Sequence, residues 1–540
     1  MLASEAIIKS LEAEGISVVF GYPGVSICPV FDSMITSGIQ PVLVRTEQNA
    51  AHAANGYARS KGTVGVCIAS SGPGATNLIT GIATAFADSI PLVCITGQVK
   101  SEHIGSDMFQ EADIVGATES FVKYSYLVKN AADIPRIMKE AFYIAGTGRK
   151  GPVLIDIPVD IQTQDIGEFL YPETVSLRTY KPTVKGHAVQ IKKVIAELEK
   201  AKKPVLCVGG GVISAGAEKE IKKFARTHSL PVVSTLMGIG VFENNDPLYA
   251  GMVGNNGKKY ANKVMNASDV MIIVGARVAD RAIKQPDLIT QNKVLIHIDV
   301  DPAEIGKNAG PSIPIVGDAK HVFKELNTFD KVGDYSDWLQ EVAVLKEKYK
   351  FDDMADEGSL VSPHCFVALL SEEMDEDGIY VADVGQNQMF SCSAYRFKKG
   401  KFFTSGGMGT MGYSVPAAIG AKFASPKKQV VAVCGDGAFQ MCIPELATIA
   451  QNGLDIKIFI LNNESLGMIR EYQQINYEKR YTMNELGSFP DFGLIAKAYS
   501  IPYFRMDSDH NLQAEIKSVL QVKGPCICEV LVDKEVGCFS

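Results

Sequence analysis

Val430-Val-Ala-Val-Cys-Gly-Asp-Gly437, followed by Ile456-Lys-Ile-Phe-Ile-Leu-Asn-Asn463, ends two Val/Ile-rich runs in an aspartate and an asparagine 27 positions apart. Runs of this kind, bounded by Gly and polar residues, read as strands of a parallel sheet buried on both faces. In such a sheet the residues just past the carboxyl ends of the strands share one crevice. A carboxylate from Asp436 and an amide oxygen from Asn463 would there make a hard oxygen set for Mg²⁺, a cation that keeps positions for phosphate oxygens. Gly435 and Gly437 let main-chain N–H groups come close, and the next helix offers its positive N-terminus, so a diphosphate is the ligand this arrangement suits.

The same grammar appears once more upstream. Around Gly56-Tyr57-Ala58-Arg59 a small-residue helix leads to a strand at 64–68, a turn at Gly72-Pro73-Gly74, a helix and a second strand at 91–96. Around Gly412-Tyr413-Ser414-Val415 a similar helix leads to the 430–434 strand, the Gly435-Asp436-Gly437 turn, a helix and the 456–461 strand. Two such units can face one another and hold the two ends of an extended ligand.

Strands alternate with helical patterns through most of the 540 residues, so the fold class is α/β, with three doubly wound parallel-sheet domains. Polar, irregular stretches near 167–186 and 329–362 divide them at about 1–165, 185–335 and 355–540. The net charge of −8, with no long Lys/Arg block, argues against nucleic acid or an anionic membrane as partner. Met1 to Leu11 reads as an amphipathic surface helix and not as an export or transit peptide. The uncharged stretch 63–87 is broken by Ser, Pro and Gly and is no membrane span. A cytoplasmic location follows from these two readings. The 11 cysteines include no CxxC pair; Cys67, Cys94, Cys207 and Cys434 read as small core residues in a reducing compartment. Cys526 and Cys528 are expected on opposite faces of one strand, and no zinc site is expected.

The Gly-Asp-Gly and Asn-Asn pair resembles the signature of thiamine-diphosphate (ThDP) enzymes. Nearly the whole chain is similar to the catalytic subunit of acetohydroxyacid (acetolactate) synthase. The likeness is carried by Phe20-Gly-Tyr-Pro-Gly24, Arg45-Thr-Glu-Gln-Asn-Ala-Ala-His-Ala-Ala-Asn-Gly-Tyr-Ala-Arg59, Ser71-Gly-Pro-Gly-Ala-Thr-Asn77, Asp107-Met-Phe-Gln-Glu111, Gly275-Ala-Arg277, His297-Ile-Asp-Val-Asp-Pro-Ala-Glu-Ile-Gly306, Gly407-Met-Gly-Thr-Met-Gly412 and Leu466-Gly-Met468. The resemblance implies a pyrimidine-binding domain, a central FAD-binding-like domain and a diphosphate and Mg²⁺ domain. The implied reaction is decarboxylating carboligation of pyruvate, a 2-keto acid, with a second carbonyl compound. Its simplest form joins two pyruvates to acetolactate and CO₂, a transferase reaction of branched-chain amino-acid biosynthesis.

By the same resemblance Glu47 is the carboxyl that hydrogen-bonds the cofactor's pyrimidine N1′ and favours the imino tautomer, whose 4′ nitrogen takes the C2 proton. Phe109 and Gln110 line the reaction space, and Arg281 holds the acceptor carboxylate. Gly24, Gly385, Gln386, Gly409, Met411, Gly435, Gly437, Ala438 and Met468 contact ThDP, Met411 by bending it and Gly409 through its carbonyl. Asp436, Asn463 and Ser465 hold Mg²⁺. Gly210, Thr235, Leu236, Arg277, Asp299 and Asp318 match FAD-binding segments, where the flavin does no net redox work. A clean GxGxxG is missing from the middle segment, so no nicotinamide site is expected. A homodimer or homotetramer is expected, with a possible regulatory subunit.

The acceptor side departs from the family pattern. Val159 stands where the family has lysine, Asn255-Asn256 where it has Met-His, Tyr472 where a tryptophan favours 2-ketobutyrate, Val25-Ser26 where it has Gly-Ala, and Asn387 where it has a phosphate-side histidine. The sequence also ends at Cys538-Phe539-Ser540, short of the family's tail over the active site. A related ThDP carboligase or lyase passing a two-carbon unit to an aldehyde or keto-sugar is therefore the alternative reading. An inactive ThDP-fold scaffold is the third, although its mark, loss of Glu47 or of the Asp436 and Asn463 pair, is absent.

Overall fold

The computed structural model describes residues 1–283, 289–349 and 360–538. The expected start of the third segment at 355, and the terminal Phe539 and Ser540, lie outside the described residues. Three six-stranded sheets, every described strand pair parallel, form the frame. The first holds β1 (Val18–Gly21), β2 (Gln40–Leu43), β3 (Gly65–Ala69), β4 (Leu92–Gln98), β5 (Tyr124–Leu127) and β6 (Pro152–Pro158), in spatial order β2-β1-β3-β4-β6-β5. The second holds β7 (Pro204–Val208), β8 (Val232–Ser234), β9 (Tyr249–Met252), β10 (Val270–Val274), β11 (Val294–Asp299) and β12 (Ile313–Val316), in order β12-β11-β10-β7-β8-β9. The third holds β13 (Ile379–Ala382), β14 (Lys401–Phe403), β15 (Val430–Gly435), β16 (Ile456–Asn462), β17 (Tyr503–Met506) and β18 (Cys526–Leu531), in order β14-β13-β15-β16-β18-β17.

Renumbered from its own first strand, the third order is identical to the first, so the echo in the sequence is a repeated topology. The two units also touch. The helix Glu47–Lys61 packs on the helix Ser414–Ala424, and glycine permits the approach. A Cβ on Gly420 would lie 1.7 Å from the carbonyl oxygen of Ala53, and one on Gly56 would lie 1.9 Å from that of Ala417. One apolar core runs through both domains across this contact, while the middle sheet has a separate core.

Cys67, Cys94, Cys207 and Cys434 are buried as expected. Cys526 and Cys528 correct the reading above. Residues two apart on a strand share a face, and both pack into one cluster with Phe366, Leu512 and Ile516, while Ile527 between them joins the core on the other side. Among the described residues no helix is long and apolar enough to cross a membrane.

Candidate active site

In each outer sheet the strand order reverses between the first and third strands, the place where such sheets bind ligands. In the N-terminal domain this point gathers Gly24, Ser26, Glu47, Ser70 and the 71–77 turn. Ser26 Oγ lies 2.9 Å from Ser70 Oγ and accepts from the Ser71 N–H at 2.8 Å. A Cβ on Gly24 would lie 2.3 Å from Ser70 Oγ, so only glycine lets these loops close. Glu47 begins its helix, with Thr46 as cap accepting from the Asn49 N–H. Its Oε2 accepts from Asn77 Nδ2 at 2.9 Å, and its Oε1 faces Gly74. Gln110 leans on Gly72 from the loop 99–112, with a positive φ of 62°, and Phe109 beside it is 87% exposed.

The C-terminal domain gathers Gly385, Gln386, the 409–412 loop, Asp436 to Ala438 and Asn463 to Met468. Asp436 opens the helix Asp436–Gln440 and is buried, and burial pushes its carboxyl up to about 7 against the backbone N–H groups of Gly437 and Glu464. No basic side chain among the described residues pairs with it. Asn463 Nδ2 donates to Gln386 Oε1 at 3.2 Å, and Asn463 Oδ1 accepts from the Ser465 N–H. Ser465 Oγ donates to the Asn484 carbonyl at 3.0 Å. A Cβ on Gly437 would lie 3.6 Å from Met411 Cε, which places Met411 beside the Asp436 turn. Gly385 (φ 124°) and Gly409 (φ 73°) take backbone conformations that favour glycine. Met468 is half-buried on the helix Gly467–Asn476.

No group of three His, Cys, Asp or Glu able to hold a metal occurs among the described residues. Asp436 and Asn463 supply two oxygen donors and leave the remaining positions to a ligand, as suits Mg²⁺ with a diphosphate. A buried carboxyl without a cationic partner is what a divalent cation would neutralise, so the residues present fit that group.

In the middle domain Gly210, Thr235, Leu236, Arg277 and Asp318 follow β7, β8, β10 and β12, and Asp299 is the last residue of β11, all at the carboxyl edge. Burial pushes the Asp299 carboxyl up to about 6. Arg277 reaches Gly407 of the C-terminal domain, and Asp88 of the N-terminal domain accepts from the N–H groups of Gly406 and Gly407. Arg281 is exposed; its carbonyl accepts from the Asn255 N–H at 3.2 Å, and its charge acts on the Cys392 thiol. Asn256 Nδ2 donates to the Cys538 carbonyl at 3.1 Å. Asn387 is buried and donates to the carbonyls of Asp383 and Val433, so its amide nitrogen is committed to strand ends.

Among the described residues no hydrogen bond or ion pair joins Glu47 to Met411 or Asp436, or Gln110 to Arg281. The links between the outer domains run elsewhere, and two buried acids missed in the sequence take part in holding the site. Glu445 Oε1 accepts from the Arg45 N–H at 2.8 Å and from Asn49 Nδ2 at 3.0 Å, fixing both flanks of Glu47 from the C-terminal domain. Asp383 accepts from the N–H groups of Val384, Gly412 and Ser414 at 2.8–2.9 Å, fixing the exit of the Met411 loop. Neither acid sits in a motif, and a lone Asp or Glu at a strand or helix end reads as a turn or cap residue.

Family models agree with this arrangement in all three domains. "Thiamine pyrophosphate enzyme, N-terminal TPP binding domain" matches residues 1–117, the central domain of the same enzymes matches 191–326, and their C-terminal TPP binding domain matches 383–530. The class is therefore that of the ThDP enzymes. The chain is 42% identical, over 99% of its length and 92% of the relative's, to the probable acetolactate synthase large subunit of Methanocaldococcus jannaschii. It is 42% identical to the acetolactate synthase large subunit of Haemophilus influenzae, over 97% of this chain and 93% of the relative. For that of Lactococcus lactis the figures are 41%, 98% and 92%. The chain belongs to the acetolactate synthase large-subunit family.

Proposed function

We infer that this protein is a ThDP-dependent transferase that condenses two pyruvates, with uptake of one proton, to acetolactate and CO₂. The observation that carries this reading is the conjunction, on a chain of this family, of Glu47 at one topological switch point with Asp436 and Asn463 at its counterpart. Bound ThDP supplies a carbon nucleophile and the electron sink that receives the pair left by departing CO₂. Glu47, oriented by Asn77, holds the proton at the pyrimidine N1′ end. Asp436, Asn463 and Ser465 hold Mg²⁺ against the diphosphate, with Gly435, Gly437 and Ala438 offering backbone N–H groups at a helix start. Gln386 orients Asn463, and Met411 and Gly409, fixed through Asp383, form the support between the two ends.

FAD is proposed for the middle domain. Its switch point lies between β7 and β10, where Gly209–211 and Gly275 meet at backbone contact, and Asp299 ends β11 as a carboxylate able to accept from ribose hydroxyls. Domains dividing near 1–165, 185–335 and 355–540 accord with this assignment. At least a dimer is proposed as well. Among the described residues no hydrogen bond or ion pair joins Glu47 to Asp436 directly, and exposed apolar side chains flank both: Val25, Met108 and Phe109 on one, Met441, Ile469 and Met483 on the other. A second copy would cover them.

Arg281 is assigned to the acceptor carboxylate. Without a lysine at 159, attraction of a second keto acid weakens, by about 1 kcal/mol for a charge pair at 4 Å in water. Incubation with pyruvate, ThDP and Mg²⁺ and a panel of acceptors tests the reading. Acetolactate as the main product is expected; ligation to an aldehyde or keto-sugar alone would replace the substrate assignment.

A further inference from the structure

Asp156 is 1% exposed two residues before the end of β6, and the chemistry above leaves it without a task. Its Oδ1 accepts from Thr96 Oγ1 at 2.7 Å and its Oδ2 from Gln98 Nε2 at 2.9 Å. Gln98 is itself buried and ends β4. Its second Nε2 hydrogen goes to the Ala112 carbonyl at 2.8 Å, and its Oε1 accepts from the Val99 N–H at 2.9 Å. One amide thus closes both ends of the loop 99–112, the loop that carries Phe109 and Gln110.

The C-terminal domain builds the same device at the corresponding place. Asn462 ends β16, its Nδ2 donates to Glu529 Oε1 at 2.6 Å on β18, and its Oδ1 accepts from the Glu464 N–H at 3.0 Å. The other oxygen of Glu529 accepts from the Tyr503 hydroxyl, as that of Asp156 does from Thr96. The registers agree as well: Asp156 pairs with Thr96, two residues before Gln98, and Glu529 pairs with Ile460, two residues before Asn462. There the amide precedes Asn463 directly and orders the turn of a metal ligand.

We propose that Gln98, oriented by Asp156, is a positioning residue that fixes the loop carrying Phe109 and Gln110, in the way Asn462, oriented by Glu529, fixes the Asn463 turn. The proposal rests on the reading that Phe109 and Gln110 line the reaction space. Both oxygens of the Asp156 carboxyl accept here, one from Thr96 and one from Gln98, and burial pushes the group up to about 7. In Asp156→Asn one acceptor becomes a donor: with the nitrogen toward Gln98 it meets Nε2 donor to donor, and with the nitrogen toward Thr96 it reverses that bond and makes the hydroxyl accept, so the network is altered in either orientation.

The test is hydrogen exchange of the 99–112 segment in the full chain with ThDP and Mg²⁺, run beside pyruvate kinetics. Gln98→Met keeps side-chain bulk and removes the clip, so it serves if Asp156→Asn folds poorly. Exchange about tenfold faster in both variants is expected, with the double variant no faster than either single one, since residues of one network are non-additive. Turnover should fall about tenfold while Mg²⁺-dependent ThDP affinity stays within twofold. Unchanged exchange in both variants would overturn the proposal. Faster exchange with unchanged turnover would leave the clip standing and remove Phe109 and Gln110 from the reaction space.

Discussion

The N- and C-terminal domains share one strand order and put different chemistry at equivalent places. Past the first strand stand Tyr22 and Gly24 in one and Asp383 and Gly385 in the other; past the third, Ser70 to Gly74 against Gly435 to Gly437; past the fourth, Val99 against Asn463. The amide and acid pair that orders the last of these turns is kept in both. What differs is charge: Asp383 and Asp436 are buried acids in the C-terminal set, whereas the N-terminal set is hydroxyls and glycines with Glu47 delivered separately by a helix start. The frame fixes where side chains converge, and the proposed assignment of a metal diphosphate to one end and a neutral ring to the other rests on the residues placed there.

The comparison breaks most severely at the junction of the two domains. Gly420→Val drives a side chain into the Ala53 carbonyl, a backbone atom that cannot step aside, and the expected cost is at least about 3 kcal/mol of apparent unfolding free energy. Denaturant titration reads this, and exchange protection of the middle sheet should be retained. Next comes Asp383→Ala, which leaves three N–H groups without their acceptor and should cost about 2–3 kcal/mol together with ThDP affinity. Calorimetry of cofactor binding and thermal unfolding check the two parts.

A smaller effect is expected at His52, which faces Tyr413 across the junction, with ring centroids 5.5 Å apart and neither ring nitrogen bonded among the described residues. Burial lowers its pKa from 6.5 to about 4, so below pH 6.5 the unfolded chain takes up a proton that the folded chain refuses. Stability therefore falls from pH 6.5 towards 4 and levels below it. His52→Gln should lose about 2 kcal/mol less than the parent between pH 7 and pH 5, measured by denaturation at each pH. The smallest change is at the acceptor pocket. Tyr472→Trp adds aromatic area and should raise the share of 2-ketobutyrate product by about 1 kcal/mol, roughly five- to tenfold, in competition with pyruvate.

The three sheets and the Asp436 half of the site were legible because Val/Ile runs ending in Gly-Asp-Gly and Asn-Asn leave few other structures open. The Glu47 half was legible through resemblance alone, since an acid before a run of alanines is by itself an ordinary helix cap. Asp383, Glu445 and the Gln98 and Asp156 pair escaped because their partners are backbone groups or residues dozens to hundreds of positions away. The Cys526 and Cys528 reading failed on strand periodicity, which sends alternate residues to one face.

The division of labour between the two halves is tested most directly by titrating ThDP in the presence of Mg²⁺ into Glu47→Gln and Asp436→Ala. Outer-shell changes at metal sites already cost 10–100-fold, so Asp436→Ala should bind ThDP at least about 100-fold more weakly. Glu47→Gln should bind within about threefold of the parent and lose proton exchange at the cofactor's C2. Equal losses of affinity in both variants, or full C2 exchange in Glu47→Gln, would contradict the account.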